Sequence, residues 1–173
     1  MRWLLDNPDS AQTVSTIVSE VGGKIVGRTR LQKMFYLLTV AGYSSEFSFE
    51  YRHYGPFSED LAHAVTMACI TGSLDEEEHP ASWGGTYSVF LSKSTTGQAV
   101  DEAKLKLLQI TNDANPIDLE LAATAIFLSE SFDGDPWEET KRRKPEKAKR
   151  IDSAKQLVGT LRQIAVPIPF PAI

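Results

Sequence analysis

The sequence predicts a mostly helical α+β domain: a winged-helix-like N-terminal unit with a small antiparallel sheet, completed by C-terminal helices. Three observations lead there. Apolar residues recur at helical spacing over residues 10–40. The period then switches to two at Phe47, Phe49 and Tyr51, and a β-rich run follows at 86–91. Helical spacing returns beyond residue 98 and includes one stretch, 119–128, that is apolar nearly all round.

The first helix opens near Asn7-Pro8-Asp9-Ser10, rich in capping residues, with proline tolerated in a first turn. Ala11, Val14, Ile17, Val18 and Val21 form its stripe, and Gly22-Gly23 stops it. Lys24-Ile25-Val26 is a short extended link. Thr29 and Gln32 have capping-box spacing, and behind them Leu31, Met34, Phe35 and Leu38 share a face that ends at Gly42. Phe47, Phe49 and Tyr51 alternate with Ser48, Glu50 and Arg52 as a half-buried strand, which Tyr54-Gly55-Pro56 breaks. Ser58 is a strong N-cap, with Glu59 and Asp60 in the first turn and Leu61, Ala64, Val65 and Ala68 on the apolar face; Gly72 closes that helix. Acidic residues 74–79 suit an edge strand, 80–85 a hairpin tip, and 86–91 the returning strand. With the tip as a wing, the order is winged-helix-like.

Residues 98–110 place Val100, Ala103, Leu107 and Ile110 on one face. Asn115-Pro116-Ile117-Asp118 starts the helix that should be central and buried. Trp137 begins a short helix interrupted by Pro145, and Ile151, Ala154, Leu157, Val158, Leu161 and Ile164 make the last amphipathic face. The alternating prolines of 166–171 favour polyproline II and should pack back on the domain, since exposed apolar residues between them would be sticky. The reading is one domain over 1–173, with the winged part over 1–95, the helices over 96–165 and the proline-rich tail over 166–173.

At 173 residues, with 42% hydrophobic and 24% charged, the chain is globular in composition rather than disordered. One cysteine, Cys69, excludes an internal disulfide and a multi-cysteine zinc site; it continues an apolar stripe and reads as a small buried hydrophobe. Trp3-Leu4-Leu5 is too short for a signal-peptide core, and no run approaches the ~18 apolar residues of a membrane span. A cytoplasmic protein without membrane contact is expected. The net charge of −5 is uneven: residues 141–150 hold seven basic groups and one acid, leaving 11 basic against 22 acidic elsewhere. Lys141, Arg142, Arg143 and Lys144 are therefore candidate phosphate contacts on an acidic body that opposes nucleic acid.

Catalytic chemistry is thinly represented. Walker, dinucleotide, nucleophile-elbow and zinc-protease motifs are all missing from the sequence. Asp60 and His63 stand one helical turn apart without a third ligand at suitable spacing, and His53 has no nucleophile tied to it. The expectation is a non-enzyme without metal or cofactor. The helix after Ser58 carries two acids and no lysine or arginine, which disfavours groove reading of DNA. A protein partner fits better: Arg28, Arg30, Lys33 and Arg52 would form a cationic rim beside Tyr36, Tyr54 and Phe57, a composition favoured at interfaces.

The run Gly27-Arg28-Thr29-Arg30-Leu31-Gln32-Lys33-Met34-Phe35-Tyr36-Leu37-Leu38, followed by Tyr51-Arg52-His53-Tyr54-Gly55-Pro56-Phe57-Ser58-Glu59-Asp60-Leu61, resembles the YwgA-like proteins and the related SocA/Panacea antitoxin domains. Trp83-Gly84-Gly85-Thr86-Tyr87, Leu119-Glu120-Leu121-Ala122-Ala123-Thr124 and Arg143-Lys144-Pro145 resemble later segments of the same proteins, so the likeness spans roughly 10–165. It implies a non-enzymatic, mostly helical domain that binds a protein, neutralising a toxin or presenting it to a protease. The partner-binding residues are then expected to be Arg28, Arg30, Lys33, Arg52, Tyr54 and Phe57. The alternative is a winged-helix transcription regulator using 141–150. Pairing of two protomers stays open.

Overall fold

The computed structural model describes residues 8–93 and 101–173. Helix α1 (Pro8–Glu20) leads into strand β1 (Lys24–Val26) and helix α2 (Arg28–Val40). A two-stranded hairpin follows, β2 (Glu50–Arg52) and β3 (Gly55–Phe57), then helix α3 (Glu59–Ile70). Strands β4 (Leu74–Pro80) and β5 (Thr86–Ser92) form a second hairpin. The C-terminal part holds α4 (Glu102–Asp113), α5 (Pro116–Ser131), α6 (Pro136–Arg143), a 3-10 helix (Pro145–Arg150) and α7 (Ile151–Arg162). The fold is thus mostly helical α+β with small antiparallel sheets. The expected position of Val100 on the α4 face lies outside the described residues.

Strand β1 pairs antiparallel with β5, which also pairs with β4, giving the order β1-β5-β4. The acidic segment forms an edge strand, as its charges predict. Two expectations change. The strand read over Phe47, Phe49 and Tyr51 is regular only at Glu50–Arg52, and the turn expected to end it supplies its partner: Gly55-Pro56-Phe57 returns as β3, with Tyr51 opposite Pro56. Proline sits on this ladder because a two-stranded edge leaves its missing N–H unneeded.

Helix α5 is the axis of the C-terminal half. Its residues from Asp118 through Ile126 are all buried, and it packs against α2, α6, α7 and β3. A helix apolar on every side has no face left for water, so neighbours must surround it. Asn115 caps it, its side chain accepting from the Ile117 N–H at 2.9 Å. One apolar cluster joins Val14 and Val18 of α1, Leu37 of α2, Leu61 of α3, Phe90 of β5, Leu121 of α5 and Leu161 of α7. The tail belongs to it. Val166 and Phe170 are buried, and the Ile168 N–H donates to the Ala41 carbonyl at 3.0 Å, laying Pro167 and Ile168 across Gly42.

Gly55 has φ +87°, a conformation that side chains disfavour, and an added Cβ would run into Thr124 Oγ1 on α5. Gly55→Ala is expected to destabilise the fold by about 2–4 kcal/mol in denaturant titration. Thr124→Ala in the same background should recover the steric part and leave the backbone part.

Candidate functional site

The two segments that carry the family likeness meet through polar groups. Gln32, buried on α2, donates from Nε2 to the Ser58 carbonyl and accepts the Ser58 N–H at Oε1, each at 2.9 Å. Lys33, next in sequence, donates from Nζ to the Pro56 carbonyl at 2.6 Å. Ser58 then caps α3, its Oγ accepting the Leu61 N–H at 3.1 Å. Gln32 is therefore no part of a capping box: α2 has Gly27 at its N-cap and no side-chain cap bond. The residue faces inward because α2 is buried continuously from Leu31 to Leu38.

This junction frames a cavity of about 440 Å³ between α2, α3, the base of the β4–β5 hairpin and the β2–β3 turn. Leu31, Val65 and Phe90 give it an apolar floor, while Arg28, Arg52 and Tyr54 stand at its rim. Arg28 Nε donates to Glu76 at 2.9 Å and to Ser88 Oγ at 3.2 Å. Arg52 bonds Glu50 and, at 2.6 Å, Glu59, and its guanidinium lies 4.9 Å from the centre of the Phe57 ring. Tyr54 is 53% exposed and makes an edge contact with His53 at 4.6 Å. The rim cations thus have carboxylate partners.

Five of the six residues expected to bind a partner, Arg28, Lys33, Arg52, Tyr54 and Phe57, line this one cavity. Lys33 differs from expectation in depth: it is 1% exposed and belongs to the floor rather than a rim. Arg30 is elsewhere. Its guanidinium donates to the carbonyls of Thr111, Asn112 and Ala114 at 2.7–3.1 Å, satisfying the end of α4, and burial lowers its pKa. Tyr36 is core, edge-on to Phe49 at 5.3 Å, with its hydroxyl pKa raised by burial.

The basic run is also redirected. Arg142 and Arg143 both bind Glu139, whose carboxyl they hold down at about 2. Arg143 also lies over the Tyr51 ring. Lys144, buried, donates to Glu120 at 2.7 Å and to the His53 carbonyl at 2.9 Å. Lys147 reaches both oxygens of Glu120 at 2.7 and 2.8 Å, and Arg150 binds Asp118 at 2.8 Å. Of the four residues expected to touch phosphate, Lys141 alone has no ion-pair partner among the described residues. Sequence reasoning missed Gln32, Glu120 and Thr124. Asp118 and Glu120 at the start of a largely apolar helix were the available signal, set against a run carrying six excess positive charges.

Lys33 is the electrostatic anomaly. Burial pushes its ammonium down to about 7; Glu120 opposes that fall, and Lys144 and Lys147 add to it. Cys69 keeps its proton, its pKa raised by burial first and by Glu76 and Asp75 next. Among the described residues no group of three metal-ligating side chains occurs.

Among known proteins, the chain is similar to the uncharacterized protein YwgA of Bacillus subtilis (strain 168). The two are 29% identical over 156 residues, covering 82% of this chain and 90% of that protein. No protein-family model matches the chain.

Gln32→Leu removes both bonds to Ser58 and leaves its buried N–H unsatisfied, while the carbonyl keeps the Ala62 N–H; the expected loss is about 1–3 kcal/mol in chemical denaturation. Lys33 gives a pH signature. Its pKa is about 7 folded against 10.5 ordinarily, so across that window the unfolded chain holds a proton the folded chain has released. Stability therefore rises with pH between those values, by at most about 1.4 kcal/mol per pH unit. Lys33→Met should flatten the rise relative to wild type in denaturation midpoints measured from pH 7 to 10.

Proposed function

We propose that this chain is a protein-interaction domain of antitoxin or proteolytic-adaptor type, which seats an apolar segment of its partner in the groove between α2, α3 and the β2–β3 turn. One observation carries the reading: residues distant in sequence converge there on an apolar floor with a rim of arginine and aromatic side chains. Such a composition suits an interface anchor, where a buried apolar side chain gains most and rim charges select. The antitoxin or adaptor role follows from the resemblance of the Gln32-Lys33 and Tyr54–Ser58 segments to SocA/Panacea domains. Exposed Tyr54 beside the opening and Trp83, 76% exposed at the β4–β5 tip, extend the surface a partner would meet.

The second reading is a winged-helix regulator. The β1-β5-β4 strand order, with α2 and α3 between its first and second strands in sequence, supports it. Against it, the basic run it would use is largely occupied in ion pairs, and α3 carries Glu59 and Asp60 in its first turn.

Thr66 tests the groove because it lines the cavity from an exposed position on α3. Thr66→Trp should fill the groove, keep the melting temperature within a few degrees, and abolish co-purification of a stoichiometric protein partner from the native host. Unchanged capture by Thr66→Trp, or nucleic acid in place of protein with the wild type, would overturn the assignment.

A further inference from the structure

The charges behind the groove do not balance. Lys144 and Lys147 share the single carboxylate of Glu120, and Lys33, bonded elsewhere, feels the charge of all three groups. Both oxygens of that carboxylate are already engaged, Oε1 by Lys144 and Lys147 and Oε2 by Lys147. Lys144 has a further acceptor in the His53 carbonyl. Lys33 has one bond, to the Pro56 carbonyl, although it carries three protons when charged, and it contributes to the cavity floor from a buried position, 1% exposed. A buried cation with a single neutral acceptor is costly, and the cost is relieved when an anion is brought to it. At the rim, Arg28 and Arg52 are paired with Glu76 and with Glu50 and Glu59, so the unmatched donor capacity of the groove lies at Lys33 on its floor. Around that charge the walls are Leu31, Phe57, Val65 and Phe90, which fit an apolar body.

We infer that the groove reads a carboxylate carried on an apolar or aromatic group of the partner's segment, and that Lys33 is the residue that receives it. The inference rests on the groove being the partner site. It adds the chemistry by which the partner is chosen: an acidic group next to a bulky apolar side chain, its charge completing the buried set of Lys33, Glu120, Lys144 and Lys147. An amide or a cation in the same place leaves Lys33 unmatched, and selectivity follows from that difference.

The test uses the whole chain and N-acetyl-leucyl-phenylalanine as two probes, the free acid and the C-terminal amide, in isothermal titration at pH 8. The acid should bind at least tenfold more tightly than the amide. Lys33→Met should reduce that ratio to near one, while Thr66→Trp should weaken both probes. Acid binding should also take up protons, seen as a heat that differs between Tris and HEPES buffers and is absent in Lys33→Met. The ionisable groups facing Lys33 are Glu120, Lys144 and Lys147 behind it, with Arg28, Arg52, His53 and Glu76 across the cavity, so subtracting the variant isolates its own proton. Equal affinity for acid and amide, no binding of either, or a preference that survives Lys33→Met would each overturn the inference. The wild-type comparison needs no variant to fold. If it fails while partner capture still depends on Thr66, the groove stands as the partner site and its carboxylate chemistry falls.

Discussion

A single glutamine holds the molecule's main junction. The backbone at Ser58 leaves a short strand and enters a helix, where the helix ladder satisfies its carbonyl through the Ala62 N–H at 3.1 Å but offers its N–H no backbone partner. Gln32 accepts that N–H from α2 and adds a second donor to the carbonyl, and its neighbour Lys33 takes the carbonyl two residues earlier. Ser58 is then free to use its hydroxyl as the cap of α3. The contact ties the start of α3 and the end of β3 to α2, the elements that wall the groove. Sequence adjacency is part of the device: consecutive residues on α2 grip atoms two residues apart on the facing chain, so register is fixed as well as distance.

The second constraint is electrical. Helix α5 carries Asp118 and Glu120 near its N-terminus, where the helix dipole favours acids and burial penalises them. The residues from Lys144 to Arg150 wrap that end, Arg150 meeting Asp118 while Lys144 and Lys147 meet Glu120. With Arg142 and Arg143 on Glu139, five of the seven basic side chains in that run find carboxylate partners within the fold. Buried pairs of this kind contribute little net stability but are costly to break singly, so they specify how the C-terminal third docks.

Much of this was legible in the sequence. Helix positions followed apolar spacing, and Ser58, Asn115 and the glycine stops marked ends, because local chemistry decides those features. The groove residues were also legible as a group, since cationic and aromatic side chains that share a motif tend to share a surface. What escaped was whatever depends on a partner far along the chain. Arg30 and Lys144 are indistinguishable in sequence from solvated cations, and only the carbonyls of α4 and the carboxylate of Glu120 make them internal. Gln32 satisfied a local pattern and was used nonlocally. Tyr54-Gly55-Pro56 read as a breaker because proline and glycine usually are, yet a two-stranded ribbon tolerates both.

The bond from Lys144 to the His53 carbonyl joins residues 91 apart in sequence. Closing a loop of that length costs about 4 kcal/mol in chain entropy before any contact rewards it. The β2–β3 segment is therefore braced from both ends of the chain: by α2 through Gln32 and Lys33, across 26 and 23 residues, and by Lys144 across 91. A cut or an insertion between α3 and α6 leaves the first tether intact and lengthens or severs the second, so the wall of the groove that bears Tyr54 is the part of the molecule that depends on chain continuity.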